Sequence, residues 1–252
     1  AKQRIFRNQK KDDILICNVQ CLPESAICPS TLLKAGVNEP DTELCVAEEP
    51  DGTWIHFRDK AYRIPVDEIR LLGQHNYFDI GVVYGVCSIL GMDDGAFTAG
   101  LKTYEPLPHR LQYLGERDGV KYYDDSISTI CDTTIQALKT LKDTDTVLIG
   151  GMDRGIDYRE LIEYLSECQV RHIILMEATG KRIYQEIYKF YPEFKDRPRL
   201  ILAEHLEDGV RRAMEITRPG HSCVLSPAAA SYGIFKNFEE RGEVFSRLVF
   251  HS

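Results

Sequence analysis

Three short stretches of this chain combine side chains that could handle an anionic ligand. Asp124-Asp125-Ser126-Ile127-Ser128-Thr129 sets two carboxylates and three hydroxyls side by side. A carboxylate can face a nucleotide there, and a hydroxyl at a helix N-terminus can bind an anion. The plainer reading is a helix cap, with Ser128 or Thr129 as N-cap and acids near the positive helix end; on spacing alone it is the stronger one. Gly150-Gly151-Met152-Asp153-Arg154-Gly155 is glycine-rich and holds one cation. It is a weak anion-binding signal, and a tight strand-to-helix turn is the more common explanation. Pro108-His109-Arg110 pairs two cationic groups that could clamp phosphate, or simply form a surface hinge. A Walker A loop needs Gly-x4-Gly-Lys-Ser/Thr. The one Gly-Lys, Gly180-Lys181, is followed by Arg182 and has Leu175 where the first glycine belongs.

The elements that must position these groups fall into two regions. In residues 107–252, strand-like runs near 120–124, 146–150, 172–177, 199–203 and 223–226 alternate with helix-like runs. The helices are expected near 129–141, 158–168, 181–190, 206–217 and 231–240. Such alternation predicts right-handed crossovers and a mainly parallel, doubly wound sheet. Ligands of such sheets bind beyond the carboxyl ends of the strands, so 124–129, 150–155 and 226–231 matter most. Residues 1–106 do not read as a complete domain. Residues 1–9 look like a helix end, 13–19 like a strand and 52–64 like a hairpin. Helices are expected at 75–90 and 94–103, with Gly81 and Gly85 where another element packs closely. Glu105-Pro106-Leu107-Pro108 reads as a linker.

A net charge of −8 and a pI near 5.4 argue against a nucleic-acid-binding surface. The eight cysteines are scattered through strand-like and helix-like runs, as small core residues of a cytoplasmic protein would be. Cys17, Cys21 and Cys28 form no Cys-x-x-Cys pair, so no zinc site is expected. The longest apolar run, 82–92, is too short and too glycine-rich for a membrane span. The sequence begins with Ala1, which suggests a start partway into a longer protein.

Beyond spacing, the segment Leu225-Ser226-Pro227-Ala228-Ala229-Ala230-Ser231-Tyr232-Gly233-Ile234-Phe235-Lys236-Asn237-Phe238-Glu239-Glu240-Arg241-Gly242, then Phe245, resembles the C-terminal signature of UDP-N-acetylmuramoyl-L-alanine:D-glutamate ligases. Gly73-Gln74-His75-Asn76, Leu107-Pro108-His109-Arg110 and Asp125-Ser126 to Thr129 resemble that family in the same order and spacing. The resemblance implies an α/β chain with two parts: 1–106, the late part of a central ATP-binding domain lacking the phosphate loop, and 107–252, a Rossmann-like amino-acid-binding domain. It implies an ATP- and Mg2+-dependent ligase of peptidoglycan precursor synthesis. ATP would phosphorylate the carboxylate of UDP-N-acetylmuramoyl-L-alanine, and the D-glutamate amine would attack the acyl phosphate. Cations and magnesium would dominate both steps. The partner would be the missing N-terminal portion, without which the chain is expected to be inactive.

Residue by residue, Lys2 matches a lysine that becomes carbamylated and supports magnesium. Asn76 matches a residue near adenine, and the next adenine-side position, usually Asn, is Asp79 here. His109 and Arg110 match nucleotide contacts, with His109 also a candidate catalytic group. Asp125 matches a carboxylate near the ribose and phosphates, and Ile127 stands where the family often has Lys. Thr129, Arg154, Ser231 and Phe238 match the D-glutamate side, Phe238 through its backbone. Arg154 stands where Lys is frequent, and its fork suits a carboxylate. Two other readings are a related ligase with another amino-acid substrate, such as one acting on a folate-like acceptor, and a noncatalytic Rossmann-like binding module.

Overall fold

Strand runs that are apolar on both faces need cover on both sides, and the fold of the second half follows from that requirement. The computed structural model describes residues 6, 8–21, 28–71, 73–191, 194 and 199–251. They fall into two compact units, Ala1–Glu105 and Pro106–Ser252.

The second unit holds a six-stranded sheet in the order β10-β9-β8-β11-β7-β6. Its strands are β6 (Gln112–Arg117), β7 (Val120–Asp124), β8 (Thr144–Gly150), β9 (His172–Met176), β10 (Arg199–Ala203) and β11 (Ser222–Leu225). All pairings are parallel except β6 with β7. Side chains alternate between two cores. Val147, Ile149, Ile173, Leu175 and Val224 pack with α3 (Cys131–Thr140), α4 (Arg159–Glu167) and α5 (Glu177–Phe190). Leu148, Ile174, Met176, Cys223 and Leu225 pack on the other face with α6 (Leu206–Ile216) and α7 (Phe238–Phe250). The connections from β7 through β10 thus use one face and the return to β11 uses the other. This is the doubly wound arrangement expected from the sequence. Since β11 lies between β7 and β8 and sends its chain to the opposite face, a crevice opens at the carboxyl ends of these three strands.

Two expectations for this unit are corrected. The antiparallel strand β6 was not anticipated; Gly115 and a register shift between Tyr113 and Gly115 interrupt its alternation. The helix expected at 231–240 begins only at Phe238, because residues 232–237 turn and Asn237 caps the helix by accepting from the Glu240 N–H at 2.9 Å. The Asn-x-x-Glu spacing is itself an N-terminal signature.

The first unit is a five-stranded sheet, β1 (Ile14–Asn18), β2 (Thr31–Val37), β3 (Leu44–Glu49), β4 (Gly52–Phe57) and β5 (Lys60–Arg63), in that order. β1 to β3 are parallel and β3 to β5 antiparallel. The strand near 13–19 and the hairpin were expected; β2 and β3 were not. Helices α1 (Gln74–Ile89) and α2 (Asp94–Thr103) match expectation. Gly81 and Gly85 do lie where α1 meets β3. A Cβ at 81 would stand 2.5 Å from Val46 Cγ2, and one at 85 would stand 2.7 Å from Leu44 Cδ1. Tyr62, Tyr84 and Phe97 stack beside this layer at ring distances of 4.8–5.3 Å. No helix among the described residues is long and apolar enough to cross a membrane. The helix end expected at 1–9, and Lys2 with it, fall largely outside the described residues.

Candidate functional site

The crevice of the second unit is walled by the loops after β7, β8 and β11. The cap expected at Ser128 or Thr129 does not form: α3 begins at Cys131, with Ile130 at the cap position. Thr129 is therefore left beside the crevice, half-buried. Arg154, exposed on the loop after β8, donates from Nη2 to the Thr129 carbonyl at 2.6 Å. That loop is braced from α5: Arg182 donates to Asp153 Oδ1 at 2.9 Å and to the Ile156 carbonyl at 2.8 Å. A backbone bridge from Met152 N to Ala230 O at 2.8 Å ties the same loop to the one carrying buried Ser231. Thr129, Arg154 and Ser231, far apart in sequence, thus lie on three adjoining loops at one sheet edge. Phe238, the first residue of α7, follows on the β11 side.

Behind these residues lies a buried polar layer that sequence reasoning mostly missed. His109 adopts a left-handed backbone conformation (φ 62°) and pairs through Nδ1 with Asp124 Oδ2 at 2.7 Å. Asp124 also accepts from the Ser126 N–H at 2.8 Å. A Cβ on Gly242 would land on both atoms of the pair, so α7 can approach only as glycine there. The Phe238 ring stands edge-on to His109 at 6.1 Å. Burial raises the Asp124 carboxyl above its usual range, against the pull of His109. Asp125 is 3% exposed. It accepts from the Leu111 N–H at 3.1 Å and the Ser226 hydroxyl at 2.7 Å, and burial pushes it up to about 6. Arg110 is exposed. Burial brings Arg241 down to about 10, opposed by Glu177 and Asp124. No pattern in the sequence announces a buried arginine on an otherwise amphipathic helix. Its place in the 225–242 segment was the available signal.

In the first unit, Asn76 and Asp79 sit one turn apart on α1 and line a cavity of about 420 Å³. Val83, Met92, Phe97 and Leu101 form its apolar walls. A flat apolar ring suits a cavity with such walls and a few polar lining groups. Among the described residues no group of three or more His, Cys, Asp or Glu is placed to hold a metal ion.

No family model matches the chain. Curated relatives do. The chain is 32% identical over 257 residues to a UDP-N-acetylmuramoylalanine–D-glutamate ligase of Caldanaerobacter subterraneus subsp. tengcongensis, covering 98% of this chain and 54% of that protein. It is 33% identical to the Pseudomonas aeruginosa protein of that name, covering 99% and 54%. The Staphylococcus haemolyticus protein is 34% identical, covering 97% and 52%. The chain therefore spans about half the length of the curated relatives it matches. Among solved structures, MurF ligase from Thermotoga maritima in complex with ADP shares the fold at a TM-score of 0.65 and 16% identity, covering 98% of this chain and 56% of that one. Folylpolyglutamate synthase of Mycobacterium tuberculosis, complexed with ADP, does so at 0.59 and 14%, covering 87% and 49%. Over essentially its whole length the chain matches the C-terminal portion of proteins named UDP-N-acetylmuramoylalanine–D-glutamate ligase.

Proposed function

We propose that this chain is the amino-acid-binding half of a cytoplasmic, ATP-dependent ligase that joins D-glutamate to UDP-N-acetylmuramoyl-L-alanine in peptidoglycan precursor synthesis. The observation that carries the reading is the convergence of Thr129, Arg154 and Ser231 on one crevice, with Arg154 already in contact with the Thr129 loop. D-glutamate carries two carboxylates. Arg154 offers a fork for one of them, and the Ser231 hydroxyl and the Phe238 N–H suit the other. Both hydroxyl residues lie beside backbone that is already hydrogen-bonded, so little ordering is needed on binding.

On the nucleotide side, the reading gives the first unit Asn76 and Asp79 as groups suited to adenine; the second unit, by itself, offers His109, Arg110 and Asp125 as groups suited to ribose and phosphates. ATP with magnesium would supply the phosphoryl group that activates the acceptor's carboxylate. This chain's own residues would bind the incoming amino acid and neutralise charge. Asp124 holds His109 by Nδ1, which leaves Nε2 to hydrogen-bond the ligand. Lys2, as a carbamate, would support the metal. The first unit is the late part of the central ATP-binding domain in this reading, and the activity needs the counterpart of the relatives' remaining length.

The longer protein, given ATP, magnesium, UDP-N-acetylmuramoyl-L-alanine and D-glutamate, should release phosphate. L-glutamate should not replace D-glutamate, and this chain alone should release none. Equal turnover with L-glutamate would favour a related ligase instead. Turnover by the isolated chain would remove the need for a second half.

A further inference from the structure

Arg241 stands one turn into α7 and is 1% exposed. Its Nε donates to Ser126 Oγ at 2.9 Å, and its Nη2 to the Ser126 carbonyl at 2.8 Å and the Ala229 carbonyl at 3.0 Å. Ser126 Oγ in turn donates to the Phe238 carbonyl at 2.8 Å. On the remaining side is Gly151, where a Cβ would stand 3.0 Å from Nη1. One planar guanidinium therefore bonds the loop after β7 three residues before Thr129 and the loop after β11 two residues before Ser231, and it lies close to the loop after β8 three residues before Arg154, where a side chain larger than glycine's would crowd it. Through Ser126 it also fixes the start of α7 at Phe238.

Two features set this arginine apart from a packing residue. Buried guanidinium groups normally fill their donors, yet Nη1 has no hydrogen-bond partner among the described residues. Its partners are neutral oxygens, while Asp124 and Glu177 act on it only at longer range. Glu177 is itself buried and left-handed (φ 58°), a conformation uncommon outside glycine. A desolvated cation and a fixed fork thus sit directly behind the crevice. Lysine could supply the charge but not three hydrogen bonds in one plane.

We infer that Arg241 is the positioning residue of the amino-acid subsite: it holds the three loops at the spacing that lets Thr129, Arg154, Ser231 and the Phe238 N–H meet one dicarboxylate. The inference rests on the D-glutamate reading of that crevice. Arg154 to the Thr129 carbonyl and Met152 to the Ala230 carbonyl tie these loops in pairs, whereas the one guanidinium lies against all three, and a shift of about 1 Å in any of them would separate groups that must meet the same ligand.

The test uses this chain, labelled for NMR and titrated with millimolar D-glutamate. Wild type should show shifts at Thr129, Arg154 and Ser231. Arg241→Lys should lose at least tenfold in affinity, and amide exchange should quicken at 126–130 and 229–232. Arg154→Ala should lose affinity with exchange in those loops unchanged. In case Arg241→Lys does not fold, Ser126→Ala provides a second route: it removes the hydroxyl that accepts from Nε and donates to the Phe238 carbonyl, keeps the cation, and should cost several-fold in affinity in the folded protein, beyond whatever its melting temperature loses. A merely structural arginine would lower the melting temperature of these variants and leave the affinity of the folded protein alone; that result overturns the inference. Binding by wild type with equal affinity in Ser126→Ala and Arg241→Lys overturns it too, while the D-glutamate reading stands. No binding by wild type overturns that reading, and the inference falls with it.

Discussion

The two ends of the six-stranded sheet treat charge in opposite ways. At the amino end, Asp145 is 1% exposed and accepts from the Arg218 N–H at 3.0 Å and from its guanidinium at 2.7 and 2.9 Å. Burial alone would raise this carboxyl, but Arg218 holds it below its usual value. At the carboxyl end, burial wins: Asp124, Asp125 and Glu177 are all raised and Arg241 is lowered. The amino end matches each buried charge with its opposite. The carboxyl end leaves buried ionisable groups incompletely compensated, an arrangement typical of sites that keep capacity for a ligand at the expense of stability.

The strongest way to probe this contrast is to break the amino end. Asp145→Ala removes a buried acceptor of three hydrogen bonds and strands the Arg218 N–H. Arg218 itself is half-exposed and can turn to water, so the loss should be about 3 kcal/mol, at the low end for a broken buried pair. Urea denaturation of the second unit should show it as a lower midpoint at unchanged slope. D-glutamate binding by the folded protein should stay as in wild type. A stability change under about 1 kcal/mol would mean that the amino end does not rely on this pair.

The carboxyl end makes the opposite pH prediction. A carboxyl raised from 3.8 to about 6 favours the folded state most at low pH, and that contribution is lost as pH climbs through 4 to 6. For Asp145, depressed, the stabilisation is present above the usual carboxylate range and is lost as pH falls. Asp125→Asn keeps an acceptor for the Leu111 N–H and removes the ionisation. Relative to wild type, the variant should gain stability between pH 4 and 7, on the order of 3 kcal/mol at two pKa units. Thermal midpoints across that range measure the difference. Parallel curves would show that Asp125 is compensated in the folded state after all.

Arg154 sharpens the comparison from the ligand side. It is exposed and makes one hydrogen bond to backbone, so Arg154→Ala should alter stability by less than about 0.5 kcal/mol. If it meets a D-glutamate carboxylate, affinity should fall by about 1.5–3 kcal/mol, roughly one to two orders of magnitude. Apparent constants for D-glutamate and ATP in the longer protein separate the outcomes. A rise for ATP alone would move Arg154 to the nucleotide side.

What was legible in the sequence follows the same division. The helices of both units and the parallel core strands were readable because their apolar runs are long and their periods clear. β2, TLLKAGV, is broken by Lys34 and Gly36, and the apolar run of β3, LCVAEE, stops after Ala47 at two glutamates. The start of α7 was misplaced because Ile234, Phe235 and Phe238 mimic helical spacing, although Asn237 and Glu240 mark the true start. Thr129, Arg154 and Ser231 were named from the family resemblance rather than from spacing, which favoured a helix cap that does not form. Asp124, Glu177, Arg241 and Gly242 went unassigned because their roles depend on contacts between strands far apart in sequence. Burial of a charge is a property of the packed sheet, and no local pattern encodes it.

The smallest expected effect tests whether the amino end owes its stability to buried pairing or to ion pairs in general. Lys121 and Asp143 pair there as well, at 3.2 Å, but their side chains are 41% and 38% exposed. Water screens such a pair, and ordering a lysine costs rotamer entropy, so exposed pairs are typically worth 0.2–1 kcal/mol. Asp143 also accepts from the Ser222 hydroxyl at 2.8 Å, which keeps the carboxylate in place without the lysine. Lys121→Met retains most of the aliphatic stem and removes only the charge. The expected loss is about 0.5 kcal/mol at low salt, fading as ionic strength shortens the screening length to about 3 Å near 1 M. Combined with Asp145→Ala, the two losses should add, because the pairs share no partner. A Lys121 effect as large as that of Asp145, or one unchanged by salt, would erase the distinction between buried and exposed pairing at this end. The contrast between the two ends of the sheet would then reduce to a difference in the number of ion pairs.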